Sequence, residues 1–237
     1  MEYFYKYLNK CINDKNLICI LILIAIGILV FFINISGYNF VDNSETKFVT
    51  IAKDMLNNNN WGHIKLGNES FFDLSPFYFW IVNFSCVLFG KISQETVRLP
   101  IALAAMGGVL GFYFTIKPIL SRIHALIMSV MFISSLGIMI YSRLATDDML
   151  FVILSMASLL LGYLTIFSKY NKAKFMFGVY FFSALSVLTG GLFGLIPLIS
   201  FICMYIFIGD LKELIKPKNI FPGLITFLII VDRKSVV

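Results

Sequence analysis

Residues 175–209 run without a single Asp, Glu, Lys or Arg, and that run constrains the fold more than any other feature of the chain. At about 1.5 Å rise per helical residue, it is long enough for two passes through a hydrocarbon layer roughly 30 Å thick. Shorter charge-free runs cover residues 16–41, 74–90, 99–116, 123–142 and 149–168. Over the whole chain 59% of residues are hydrophobic and 14% charged, less charge than a soluble domain of 237 residues displays. In lipid only helices and closed barrels satisfy their own backbone groups, and these runs lack the alternation of barrel strands. The sequence therefore predicts an all-α polytopic integral membrane protein.

The formal net charge of +6 is spread over short connections, where topology and lipid headgroups account for it, so no nucleic-acid partner is expected. Cys11, Cys19, Cys86 and Cys203 have no metal-ligand spacing and read as small packing residues rather than disulfide partners. Lys6, Lys10 and Lys15 precede the first apolar run, which reads as a retained signal anchor with a cytoplasmic N-terminus. At the other end, the apolar residues 221–231 are too few to cross a bilayer. The hexapeptide 232–237 resembles a translated sequencing adapter and is set aside as a non-native tail, leaving 1–231 as a partial transmembrane domain.

Expected spans are residues 17–33, 76–90, 99–116, 123–141, 149–167, 175–188 and 192–208, seven helices with a truncated eighth after them. Gly190-Gly191 marks the turn inside the longest run, and Ser134-Ser135 with Gly137 a break. Between the first two spans lies a long outer loop, residues 34–75. Within it Phe48, Ile51, Ala52, Met55 and Leu56 recur at three- and four-residue spacing, predicting an amphipathic interfacial helix that stops at Asn57 to Asn60. Alternation from a cytoplasmic N-terminus places Lys91 and Arg98 inside, then Arg143 to Asp148 inside and Lys169, Lys172 and Lys174 outside. Those three lysines argue the other way.

Carboxylates near the membrane boundaries carry the candidate chemistry. Asp42 and Glu45 fit a capping box, or a general base or metal ligand at the mouth of a cavity. Asp73, three residues before Pro76, fits a helix start or a metal ligand. Asp147-Asp148 fit dipole partners at a helix N-terminus, yet adjacent carboxylates at a lipid boundary are costly unless paired or solvated. Arg98 reads as an interfacial arginine or a phosphate contact. Arg143, His63 and Lys65 are candidates to hold a phosphate. His63 also reads as an anchor beside Trp61, and His124 as a packed, hydrogen-bonded residue.

Four stretches together carry a family resemblance. Residues 45–56 (Glu-Thr-Lys-Phe-Val-Thr-Ile-Ala-Lys-Asp-Met-Leu) precede Asn60-Trp61, and residues 71–80 read Phe-Phe-Asp-Leu-Ser-Pro-Phe-Tyr-Phe-Trp. Leu88-Phe89-Gly90 with Val97-Arg98-Leu99-Pro100 follow, then Ser142-Arg143-Leu144-Ala145-Thr146-Asp147 and Leu188-Thr189-Gly190-Gly191-Leu192. In order and spacing, over about residues 40–200, the chain resembles the polyprenyl-phosphate-dependent membrane glycosyltransferases. That group (glycosyltransferase family 39) includes protein O-mannosyltransferases and the aminoarabinose transferase of lipid A.

The resemblance implies a GT-C-like helical bundle that moves a sugar from a polyprenyl phosphate to a glycan, lipid or protein acceptor at the outer face. Glu45 or Asp42 would then be the base, with Asp73 assisting, and Lys47, Lys65, Arg143 and His63 would bind the donor phosphate. Asp42, Glu45 and Asp73 could share Mg²⁺ or Mn²⁺. The sequence departs from the family pattern at Ser44, Leu74 and Gly190, which stand where an acidic residue and two lysines are usual. A flippase or exporter of lipid-linked sugars, or an inactive homologue, is the alternative. The expected location is a bacterial plasma membrane, since high Ile, Asn, Lys and Phe usage fits an A/T-rich genome.

Overall fold

The computed structural model describes residues 14–37, 43–58, 61, 64–66, 69–70, 76–167, 172–208 and 217–232. Asp42, His63, Asp73, Cys11 and residues 233–237 lie outside them, as does the side chain of Lys65. Helix α1, Asp14–Gly27, continues through one π-helical turn, Ile28–Phe32, and the chain leaves it at Asn34, whose φ of 61° is a left-handed conformation Asn tolerates. Leu23 and Phe31 face the protein, whereas Ile18, Leu21 and Leu29 are exposed apolar residues suited to lipid.

Helix α2, Asn43–Asn57, is the amphipathic helix of the first loop. Phe48, Ile51, Ala52 and Met55 are buried on one face while Lys53 is exposed on the other. That apolar face is covered by protein: the Phe48 ring stacks on Phe79 at 5.6 Å and meets Tyr78 edge-on at 5.2 Å. Residues Lys65–Leu66 (β1) and Glu69–Ser70 (β2) form a minimal antiparallel ladder beyond it, with Leu66 opposite Glu69.

Helix α3, Pro76–Phe89, has 14 residues, about 21 Å, and is too short to cross a bilayer. Helix α4, Gln94–Ile116, begins five residues before its apolar run because Ser93 and Thr96 form a reciprocal capping box. Pro100 inside α4 has no N–H for the Thr96 carbonyl, and the Ser85 hydroxyl of α3 donates to that carbonyl instead at 2.7 Å. Helix α5, Arg122–Ser134, breaks at Ser135 before α6, Leu136–Tyr141, where a break was expected. His124 is exposed rather than packed, because it stands in the first turn of α5 with its Nδ1 2.7 Å from the capping Ser121 hydroxyl.

Helix α7, Asp148–Phe167, and α8, Lys172–Gly190, pack through paired hydroxyls, Ser155 with Ser186 at 2.7 Å and Ser158 with Ser183 at 2.8 Å. Gly191, at φ 62°, opens a 3₁₀ turn, Gly191–Leu195, and Gly194 sits where a Cβ would strike the backbone of Ser186 and Val187. Helix α9, Ile196–Ile208, returns along α7, with Phe201 against Gly162 and the Tyr205 hydroxyl donating to Thr165 at 3.1 Å. Helix α10, Pro217–Asp232, lies against α8 with Gly223 on Tyr180; it has 16 residues, starting earlier than the apolar run because Pro217 suits a first helical position. Among the described residues Gln94–Ile116, Asp148–Ile166 and Lys172–Ile208 are long and apolar enough to cross a membrane.

The expected topology needs one correction. Gly27 of α1 lies against Met106, and Arg98 donates to the Ile35 carbonyl, so α4 runs antiparallel to α1 from the loop end downward. Both ends of α3 therefore stay on the loop side, and Arg98 and the 142–148 segment join them there. One fewer crossing reverses every later assignment. Among the described residues Lys117, Arg122, Lys172 and Lys174 then share the side on which α1 begins, in accord with the positive-inside rule.

Candidate functional site

The first turn of α2 carries Glu45 into the protein, where it is 0% exposed. Arg98, 3% exposed, grips it with two parallel bonds, Nε to Oε1 at 2.8 Å and Nη2 to Oε2 at 3.0 Å. The Ala145 backbone N–H also donates to Oε1 at 2.9 Å, and Arg98 Nη1 donates to the Ile35 carbonyl at 2.8 Å. Arg143 Nε donates to the Val30 carbonyl at 2.6 Å. Together these bonds tie the end of α1, the start of α2, the second turn of α4 and the 142–147 segment into one clamp.

A buried carboxylate with bidentate arginine and a backbone donor is stable because its charge is matched and its lone pairs are filled. Both Glu45 oxygens are engaged, which suits a positioning role better than the expected base or metal-ligand role. Arg98 stands near a helix start, as expected of an interfacial arginine, but it turns to the buried Glu45 at the loop end rather than to the inner side. The signal for it was an arginine at the edge of the charge-free run 99–116, where an ion without a partner is costly.

Beside the clamp, Asp147 and Asp148 line a cavity of about 260 Å³ with Phe151, Thr189, Gly190 and Phe193. This brings the two parts of the last motif, residues 142–147 and 188–192, together at the loop end of α7 and α8. Burial, then repulsion from Asp148, pushes the half-buried Asp147 carboxyl up to about 6. Gly190 packs against the Phe151 ring so closely that a Cβ would overlap it, so the residue shapes the cavity wall.

Two groups that sequence reasoning missed lie nearby. Among the described residues the Tyr78 hydroxyl and Thr146 Oγ1 are buried without a hydrogen-bond partner. Burial, reinforced by the charges of Asp147 and Glu45, holds the Tyr78 hydroxyl well above its ordinary value, so it stays a proton donor. Tyr78 was hidden inside the aromatic run 77–80, expected to hold the isoprenoid tail, and Thr146 between two more conspicuous residues. Of the expected phosphate ligands, Arg143 is at this end and half-buried, and Lys47 is partly buried on α2. Among the described residues no three His, Cys, Asp or Glu side chains gather as a metal site.

The bundle and its polar end define a class: a polytopic helical membrane protein with a GT-C-like fold. ArnT from Cupriavidus metallidurans, solved bound to undecaprenyl phosphate and in the apo state, matches in both structures with a TM-score of 0.81 and 17% identity over 91% of this chain. The chain spans about 40% of the length of ArnT, and at that identity the likeness shows the fold alone. No curated relative matches the chain at a significant level. The profile of the dolichyl-phosphate-mannose-protein mannosyltransferases matches residues 73–233, and the chain belongs to that family.

Proposed function

We propose that this chain forms the donor-facing half of a membrane glycosyltransferase, which transfers a sugar from a polyprenyl phosphate at the face carrying the first loop. The observation that carries this reading is the carboxylate-lined cavity of Asp147 and Asp148, set beside the Glu45–Arg98 clamp at one end of an apolar bundle. A lipid-linked sugar needs that combination: lipid-facing helices for the isoprenoid and a polar, partly dry end for the reacting centre. The bacterial plasma membrane and an acceptor glycan, lipid or protein belong to the same proposal.

In the reaction an acceptor hydroxyl attacks the anomeric carbon, the bond from that carbon to the phosphate oxygen breaks, and polyprenyl phosphate departs. A carboxylate accepts the hydroxyl proton as the new glycosidic bond forms. Asp147 is a candidate for that role because its pKa of about 6 suits proton transfer near neutral pH. Asp42 and Asp73 remain candidates from the loop, and Glu45 holds the loop in register. Arg143, Lys47, Lys65 and His63 are the groups proposed to meet the phosphate's developing charge, taking the place of the family lysines at Leu74 and Gly190. Because Glu45's oxygens are already engaged by Arg98 and Ala145, the three-carboxylate Mg²⁺ or Mn²⁺ site does not fit as a set.

The test is release of polyprenyl phosphate from a labelled donor by the intact protein in vesicles. Release that depends on Asp147 supports the reading. Donor translocation without sugar transfer would replace it with a carrier.

A further inference from the structure

At the end of the bundle opposite the carboxylates, Ile116, Ile119, Leu120, Met128, Leu160 and Tyr163 bound a second cavity of about 260 Å³. Three of these residues flank Lys117 at the end of α4. The Lys117 ammonium is buried and, among the described residues, has no hydrogen-bond partner. Its surroundings in sequence offer no counter-charge, because residues 96–146 and 149–209 contain no Asp or Glu. The nearby charge is positive: Arg122, partly buried, opens α5 five residues further on. Exposed apolar side chains, Leu120, Ile123 and Ile127, extend from the same corner.

A buried cation with no described anion beside it is unfavourable at a lipid boundary, and lysine's flexible stem lets its head meet a charge at the cavity mouth. We propose that this corner is a binding site for an anionic phospholipid of the N-terminal-side leaflet. One acyl chain fills the apolar cavity, and the headgroup phosphate pairs with Lys117, supported by Arg122. Basic pockets between helices on the cytoplasmic side are suited to such headgroups. The inference rests on the fold and the antiparallel course of α1 and α4, and is independent of the proposed transferase reaction.

The test is thermal unfolding of the full chain in neutral detergent with added phosphatidylglycerol, phosphatidylcholine or inorganic phosphate. Phosphatidylglycerol should raise the Tm of the native protein and of Lys117→Arg by about 3–6 °C, while the other two additions leave it unchanged. Lys117→Ala should be at least as stable as the native protein before lipid is added, and should lose the phosphatidylglycerol response. Leu160→Trp, which fills the cavity but keeps the charge, should lose it too. An equal response in Lys117→Ala or Leu160→Trp, or an equal shift from phosphatidylcholine, would overturn the site. A matching shift from inorganic phosphate would overturn the lipid assignment.

Discussion

The two ends of this bundle hold cavities of the same size and opposite chemistry. The loop end is bounded by Asp147, Asp148 and Thr189 as well as rings, and the far end by aliphatic side chains and Tyr163. Helices of one composition thus present a carboxylate-bearing surface on one side and a lipid-like one on the other. The difference arises from a few charges whose partners come from far along the chain. Glu45 and Arg98 are 53 residues apart, and Glu45 and Ala145 are 100 apart.

The contrast is sharpest at the clamp. Arg98→Ala leaves the buried Glu45 without its arginine at the loop end, and should cost about 3–5 kcal/mol, seen as loss of folded protein by size exclusion in detergent. Removing both partners with Glu45→Ala should recover part of that loss. If the single variant is as stable as the native protein, the loop end is not organised by this pair.

Asp147 is next in size. Asp147→Asn should lower sugar transfer by about 100-fold or more if the carboxylate handles the proton. The same change should stabilise the fold at neutral pH. Because the folded carboxyl titrates near 6, above its ordinary 3.8, the native protein binds its proton more tightly than the unfolded chain does. That contribution is complete below about pH 4 and disappears as pH rises through 6, so ionisation costs on the order of 2 kcal/mol at pH 7. Native stability should fall across that window, and the variant's should fall less. A flat native profile would remove the distinction in polarity between the two ends.

Smaller effects test the material between the ends. Ser85→Ala orphans the Thr96 carbonyl already deprived of Pro100's N–H, and should cost about 1–2 kcal/mol in reversible unfolding. Ser158→Ala removes an interhelical hydroxyl pair and should cost about 0.6 kcal/mol, marking the mid-bundle as uniform packing rather than a third specialised region.

The spans were legible because lipid leaves one signature, a charge-free run, and the breaks at Ser135 and Gly191 were legible because small residues mark them. Helix α3 was misread as a crossing for the same reason: residues 74–90 are as apolar as a true span, and only their docking on α2 and α4 shows that they stay on one side. The 169–174 lysines held the contrary information, which charge counting alone did not assign to α3. At the site, Asp147 and Asp148 stood out as costly carboxylates. Glu45 was legible as important but not as buried, since its arginine arrives through tertiary packing. Tyr78 and Thr146 gained meaning only once their hydroxyls were seen to lack partners.

The Ser85 to Thr96 bond also bears on how the chain is built. Proline at position 100 leaves α4 with a carbonyl that its own helix does not satisfy, and the missing donor belongs to α3. Because synthesis proceeds from the N-terminus, that donor leaves the ribosome before the carbonyl it completes. Segment 76–89 is therefore already synthesised when the span whose carbonyl it completes emerges.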